Sequence, residues 1–163
     1  MKYVAVVAMV INPRRFSSTY TYIDMLFLMK EKGPPGLVGK LNIPGGKIEL
    51  GEAASGAARR EFGEETGLVI PQDHKDRFRH FYRHRYRNQN SVDYYALALT
   101  DQEFSEIKTQ PGEEKLCKTS LIRRGDFNFE INSGYDAAIN HDLYFLIPMA
   151  YQTLTGVLEQ NLD

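Results

Sequence analysis

The chain has 163 residues, enough for one domain with a real core and too few for two, so a single domain over 1–163 is expected. A formal net charge of −1 excludes nucleic-acid binding through overall basicity and leaves only a local patch open. The lone cysteine, Cys117, excludes an internal disulfide and a Cys-rich zinc site and fits a reducing compartment, the cytoplasm.

MKYVAVVAMV at the start carries one lysine before an apolar run, as a signal peptide would. No small-residue cleavage site follows, and INPRRF breaks the run far short of the roughly 20 residues of a membrane span. The run therefore reads as a buried strand over 3–11, and no membrane partner is expected. YIDMLFLMK (22–30) is a second strand, separated from the first by Pro13 and a Ser/Thr cluster at 17–21. The Gly- and Pro-rich stretch 31–40 is an irregular connection, and LNIP (41–44) leads into Gly45-Gly46. A helix is expected over 52–66 with Gly67 as its stop, followed by a strand at 68–70.

RFRHFYRHRYR (77–87) alternates by strand rules. It puts Arg77, Arg79, Phe81, Arg83, Arg85 and Arg87 on one face and Phe78, His80, Tyr82, His84 and Tyr86 on the other. The default reading is an aromatic face in the core and a solvated cationic face, with His80 and His84 not metal ligands. The alternative is polyphosphate or RNA on the arginines and a base stacked on the aromatics. NQN turns the chain into a partner strand at 92–100, and another strand is expected at 115–122. The tail from 136 to 158 is helix-like, with a start or kink at Pro148. A mixed sheet with helices after the glycine pair and at the C-terminus is an α/β sandwich.

The helix GEAASGAARREFGEETG crowds Glu61, Glu64 and Glu65 into five positions. At 100° per residue they lie at about 0°, 300° and 40°, on one side, although like charges at this spacing weaken a helix by a few tenths of a kcal/mol per pair. A solvated acidic face is the plain explanation. A hard divalent cation such as Mg²⁺, which takes carboxylate and phosphate oxygens, would turn the repulsion into attraction. Ala54, Ala57 and Ala58 leave room on the same side for a closely wrapped loop, and Gly45-Gly46 supplies one.

These residues resemble the Nudix box. Gly46, Glu52, Arg60, Glu61, Phe62, Glu64, Glu65, Gly67 and Leu68 fill every fixed position across residues 46–68. The resemblance implies a Nudix-type α/β/α sandwich that hydrolyses a nucleoside diphosphate linked to another group. It further implies Mg²⁺, with Mn²⁺ as a substitute, held by Glu61, Glu64, Glu65 and the Gly45 carbonyl. Arg60 would hold the carboxylates in place, and Glu52 would support the helix start. Water would attack phosphorus, with the proton taken by a box glutamate or by an acidic residue on a later loop. TQPGEEKL (109–116) resembles that loop in MutT-like members and nominates Glu113 as base and additional metal ligand, with Glu114 as substitute; the alternative is a plain exposed turn after Pro111-Gly112.

GLVGKLNIPGGK resembles MutT-like triphosphatases, which often carry a polar residue where Asn42 stands; Asn42 would read a base edge or cap a turn. Gly46 and Lys47 complete the substrate-side set. In INHDLYFLIPMA (139–150), Asp142 matches an acidic base-reading group, against a default role as helix N-cap. YRHRYR lacks the proline of ADP-ribose hydrolases, and Tyr86 suits the dinucleoside polyphosphate pattern. The resemblance thus implies a (d)NTP cleaved to NMP and pyrophosphate first, a dinucleoside polyphosphate second, and ADP-ribose or a nucleotide sugar third. The non-enzyme alternative is a Nudix-fold nucleotide-binding module, disfavoured by the intact carboxylates. RNA 5′ ends stay open as a substrate, and a homodimer is allowed.

Overall fold

The computed structural model describes residues 1–11, 21–33, 35–124, 128–132 and 139–160. Most of the predicted connection around Pro13 and the start of the predicted C-terminal helix at 136–138 lie outside these residues. Eight strands are described: β1 (Lys2–Val10), β2 (Thr21–Met29), β3 (Leu41–Asn42), β4 (Gly45–Lys47), β5 (Phe78–Arg85), β6 (Ser91–Leu99), β7 (Lys115–Arg124) and β8 (Asn128–Asn132). They form one mixed sheet in the order β5-β6-β1-β2-β7-β8, with β3 on β2 and β4 on β1; β1 and β6 are parallel and the other pairs antiparallel. Helix α1 (Ala54–Thr66) covers one face and α3 (Leu143–Gln160) the other, while α2 (Asp101–Glu106) follows β6. This is the α/β sandwich expected from the sequence.

The continuous apolar run of β1 follows from its central place. Val4, Val6, Ala8 and Val10 pack towards α1 with Ala57, Ala58 and Phe62, while Val7 and Met9 pack towards α3 with Leu143, Leu146 and Ile147. A strand covered on both faces loses the polar alternation of a half-buried one. Among the described residues no helix is long and apolar enough to cross a membrane.

Four expectations are corrected. The segment 68–70 is not a strand: the Leu68 N–H is taken by the Thr66 Oγ1 at 3.2 Å, and Ile70 is a core anchor leading into 3₁₀ turns at Gln72–Arg77. Helix α1 starts at Ala54 rather than 52, because the Glu52 carboxylate folds back onto the Glu49 N–H at 3.1 Å and Ala53 stays extended. Helix α3 runs from Leu143 through Pro148, so that proline is not its start. Neither α2 nor β8, nor the short strands β3 and β4, is among the elements expected from the sequence. The signal for α2 is a capping box, in which the Thr100 Oγ1 accepts from the Glu103 N–H at 3.1 Å and the Glu103 carboxylate accepts from the Thr100 N–H at 2.9 Å.

The fourth correction concerns β5. Its pairing with β6 slips between His80 and Tyr82, so His80 opposes Tyr95 and Tyr82 opposes the next residue back, Tyr94. This bulge ends the strict alternation. Phe78 and His80 face the α1 side, against Phe62 and Tyr95, whereas Phe81 and Tyr82 pack on the α3 side, against Tyr94. Beyond the bulge Arg83 opposes Asp93 and so joins the α1 side. Arg77 precedes the strand and is paired with Glu103 at 2.7 and 2.8 Å.

Helix α1 ends where Gly67 enters the left-handed region (φ 72°) and its N–H reaches the Gly63 carbonyl at 2.9 Å. A Cβ there would also meet the Gln110 side chain at 2.2 Å. Gly67→Ala is expected to cost about 1–2 kcal/mol, a melting temperature roughly 2–8 °C lower; an unchanged thermal unfolding curve would contradict this account of the cap.

Candidate active site

The alanines of α1 face the sheet. Ala57 and Ala58 are fully buried in one cluster with β1 and Ala54 packs on the same cluster, and the glycine pair expected as a loop is strand β4, paired with β1. That close approach hangs the acidic end of α1 over β4, which pairs with β1 through Val4↔Gly46 and Ala5↔Gly45. A Cβ on Gly46 would stand 2.2 Å from the Glu61 carboxylate, and one on Gly45 would stand 2.2 Å from the Val4 carbonyl. Both glycines are therefore steric requirements, one imposed by the acidic cluster and the other by the sheet.

Arg60 organises the cluster. Its guanidinium donates to Glu52 through Nε and Nη2 at 3.0 Å each, to Glu61 at 2.8 Å, to Glu64 at 3.2 Å and to the Lys47 carbonyl at 3.0 Å. The Arg60 hydrogen bond is the chief reason that the Glu52 carboxyl lies below its ordinary range, and the Glu52 bond raises the Arg60 pKa in turn. Glu65 behaves oppositely. It is 9% exposed, and burial first, then the charges of Glu61 and Glu113, push its carboxyl up to about 8 against the pull of the Gly45 N–H and Lys30. The Gly45 N–H donates to it at 2.8 Å. No basic residue occupies the last turn of α1, so these carboxylates also oppose the helix dipole.

Among the described residues no three acidic, histidine or cysteine side chains already converge as a cation cage, because Glu61 and Glu64 are turned to Arg60. The donor set nevertheless fits a hard divalent ion: carboxylate oxygens only, one of them buried at a cost, beside a glycine that leaves space for nothing larger. Binding one requires Glu61 and Glu64 to exchange part of their Arg60 contact for the ion. Glu113 is exposed and its charge reaches Glu65; Glu114 is instead paired with Lys30 at 3.0 Å and only 19% exposed.

A cleft of about 270 Å³ adjoins the glycine pair, and Asn42, Gly46, Tyr86 and Asp142 all line it. Lys47 does not; its side chain is exposed and it borders a neighbouring groove with Glu52 and Glu61. Asn42 donates to the Lys40 carbonyl at 3.1 Å and accepts from the Asn140 amide at 2.9 Å, which leaves one N–H and one carbonyl lone pair uncommitted. Among the described residues the Asp142 carboxylate accepts no hydrogen bond, so it does not cap α3; the Asn140 Oδ1 accepts the Asp142 N–H at 3.4 Å. Asn140, Lys30 and Tyr94, also in the cleft wall, were not singled out in the sequence. Only Asn140 carried a signal, an Asx residue just before a helix. His80 bonds Asp93 at 2.8 Å and His84 lies against Tyr86, and among the described residues neither bonds Glu61, Glu64 or Glu65.

The solved structures that resemble this one do so at low identity. A MutT/nudix family protein from Enterococcus faecalis aligns over 95% of this chain with a TM-score of 0.75 and 14% identity, and the chain spans 62% of that protein's length. The NUDIX domain of Shewanella oneidensis NrtR, solved with ADP ribose, aligns over 94% of this chain and 88% of its own, with a TM-score of 0.62 and 15% identity. An Ap4A hydrolase from C. elegans aligns over 95% and 98% respectively, with a TM-score of 0.57 and 18% identity. No curated protein matches by sequence. The NUDIX domain family model matches residues 1–129, a span that contains the glycine pair, the acidic helix and the Glu113 loop, and the chain belongs to the Nudix hydrolase family.

Proposed function

We propose that the protein hydrolyses a pyrophosphate linkage in a nucleoside diphosphate derivative with the help of Mg²⁺, a (d)NTP being converted to NMP and pyrophosphate. The observation that carries this reading is adjacency: Gly46 belongs to the nucleoside-sized cleft and touches the carboxylate cluster. A nucleoside held in the cleft extends its phosphates over the glycine pair towards Glu61 and Glu65. Magnesium, when bound, supplies compensation for phosphate charge and acidifies water at neutral pH. Glu61, Glu64, Glu65 and the Gly45 carbonyl would hold it, with Mn²⁺ as a substitute. Arg60 keeps Glu61 and Glu64 oriented by charge-assisted bonds. Glu113, exposed and paired with no cation among the described residues, is the candidate to accept the proton of the attacking water, and Glu114 is held elsewhere by Lys30.

Asp142 and the free edge of the Asn42 amide are the groups we assign to base recognition, with Tyr86 and Tyr94 as the aromatic wall. Dinucleoside polyphosphates are the second reading, favoured by Tyr86, which also borders a cationic pocket. A panel of NTPs, dinucleoside polyphosphates and ADP-ribose, assayed with Mg²⁺ and with products identified, tests both. Asp142→Asn is expected to raise KM about tenfold or more for the preferred nucleotide, since it removes one charge-assisted contact, and to change kcat little. Tight nucleotide binding without any product would mark a binding module and overturn the hydrolase reading.

A further inference from the structure

The bulge in β5 has moved two arginines to the face that carries the carboxylates. By register, Arg85 lies opposite Ser91 on β6, which lies beside Lys2 on β1; one row further, Arg83, Asp93 and Val4 align in the same way. Aligned residues share a face, and Val4 packs towards α1. Lys2, Arg83 and Arg85 therefore stand on the α1 side of the sheet. Two strand spacings separate the backbones of Lys2 and Arg85 by roughly 10 Å, the reach of a short phosphate chain.

Arg83 is fixed for recognition. Its Nε and Nη2 donate to the two oxygens of Asp93 at 2.6 and 3.1 Å, and Asp93, 2% exposed, is also bonded by His80 at 2.8 Å. The opposite edge of the guanidinium keeps its donors. The Lys2 and Arg85 side chains are exposed and engage no carboxylate among the described residues. With Tyr86, Gln89 and Asn90 they line a pocket of about 470 Å³. It shares Lys2 with a groove of about 740 Å³ bordered by Glu52 and Glu61, and it shares Tyr86 with the nucleoside cleft. In a chain of net charge −1, cations gathered beside an acidic centre attract an anion that spans both.

We propose that Lys2, Arg83 and Arg85 form a subsite for phosphoryl groups on the leaving side of the scissile linkage, in a small-molecule nucleotide with a long phosphate chain. The leaving-side assignment rests on the hydrolase reading above, whereas the anion binding does not. Planar guanidinium donors suit phosphate oxygens, and Lys2 adds a mobile point charge between this pocket and the carboxylates.

Calorimetric titration of the full chain with inorganic tripolyphosphate, in chelator and low salt, tests the subsite without turnover. The Lys2→Ala/Arg85→Ala double variant is expected to weaken binding about tenfold or more, through loss of two charge-assisted contacts. Lys2→Arg/Arg85→Lys is expected to stay within about threefold, and Arg79→Ala, which lies on the other face, within about twofold. No binding by the wild type, or equal weakening by Arg79→Ala, overturns the subsite. In kinetics with Mg²⁺, KM for a dinucleoside tetraphosphate is expected to rise about tenfold in the double variant with kcat little changed. An unchanged KM overturns the leaving-side assignment. A wild type that binds tripolyphosphate and cleaves no nucleotide overturns the hydrolase reading and leaves the anion site standing. A 5′-triphosphorylated oligoribonucleotide that displaces tripolyphosphate about tenfold better than a dinucleoside tetraphosphate would assign the pocket to RNA and overturn the small-molecule assignment.

Discussion

Glu65→Gln is expected to cut turnover about a hundredfold or more while leaving the metal-free protein at least as stable as the wild type at pH 8. The two effects share one cause. Glu65 is buried, and its carboxyl is pushed up to about 8 from an ordinary 4.5. Between those values the folded chain binds a proton that the unfolded chain has lost, so this residue's contribution to stability falls as pH rises from about 4.5 through 8. Glutamine keeps the shape and can still accept from the Gly45 N–H, but it never ionises. Its loss in function follows because a neutral amide cannot compensate a divalent cation. Melting in chelator at pH 5.5, 7 and 8.5 should show wild-type stability declining with pH more steeply than the variant's. Added Mg²⁺ should recover more of the wild-type stability at pH 8.5 than at pH 5.5 and do little for the variant, since metal binding competes with the proton. Wild-type turnover in the variant would remove Glu65 from the site, and a flat wild-type pH dependence would refute the burial argument.

Substitutions at the two adjacent glycines should fail in different ways. In Gly45→Ala the new methyl meets backbone, the Val4 carbonyl at 2.2 Å and the Ala5 Cα at 2.7 Å. Strand β1 is packed on both faces and cannot yield, so β4 must separate from it and loosen the Gly45–Glu65 bond as well. A cost of about 1–3 kcal/mol is expected, or roughly 2–12 °C in melting temperature, together with loss of activity. In Gly46→Ala the three atoms nearest the methyl all belong to the Glu61 carboxylate, the far end of a flexible side chain. That end can swing away at little cost to the fold but at the expense of its position, so activity should fall roughly ten- to hundredfold with a stability change below about 1 kcal/mol. Thermal melts and kcat measured side by side separate the two cases. A fully active Gly46→Ala protein would show that Glu61 is not where the reaction occurs.

The parts legible in the sequence were those with local causes. The acidic helix and its Gly67 stop, the glycine pair and the central strands all depend on residues near one another in the chain. The β5 bulge left one trace in RFRHFYRHRYR, the ring of Phe81 among the arginines, but only the pairing with Tyr94 and Tyr95 decides which arginines turn over. Leu68-Val69-Ile70 had strand composition, yet the cap at Thr66 and Gly67 fixes its direction, and Val69 is left 78% exposed. The alanines of α1 mark a close approach in the sequence, but a helix face alone does not say that β1 lies beneath it together with the glycine pair. Asp142 matched a helix cap by position, but Asn140, two residues earlier, holds the local hydrogen bond instead. The Asn42–Asn140 bond joins residues 98 apart, which no local pattern encodes.

The parallel pairing of β1 with β6 joins residues 2–10 to residues 91–99. During synthesis at about 5–20 residues per second, β1 waits roughly 5–20 s for this neighbour to be made. Throughout that interval the most apolar strand of the sheet lacks its longest partner, while β2 pairs with it through Met9 and Val10 among the described residues. The nascent chain should therefore be most prone to self-association, and most dependent on chaperones, before β6 leaves the ribosome.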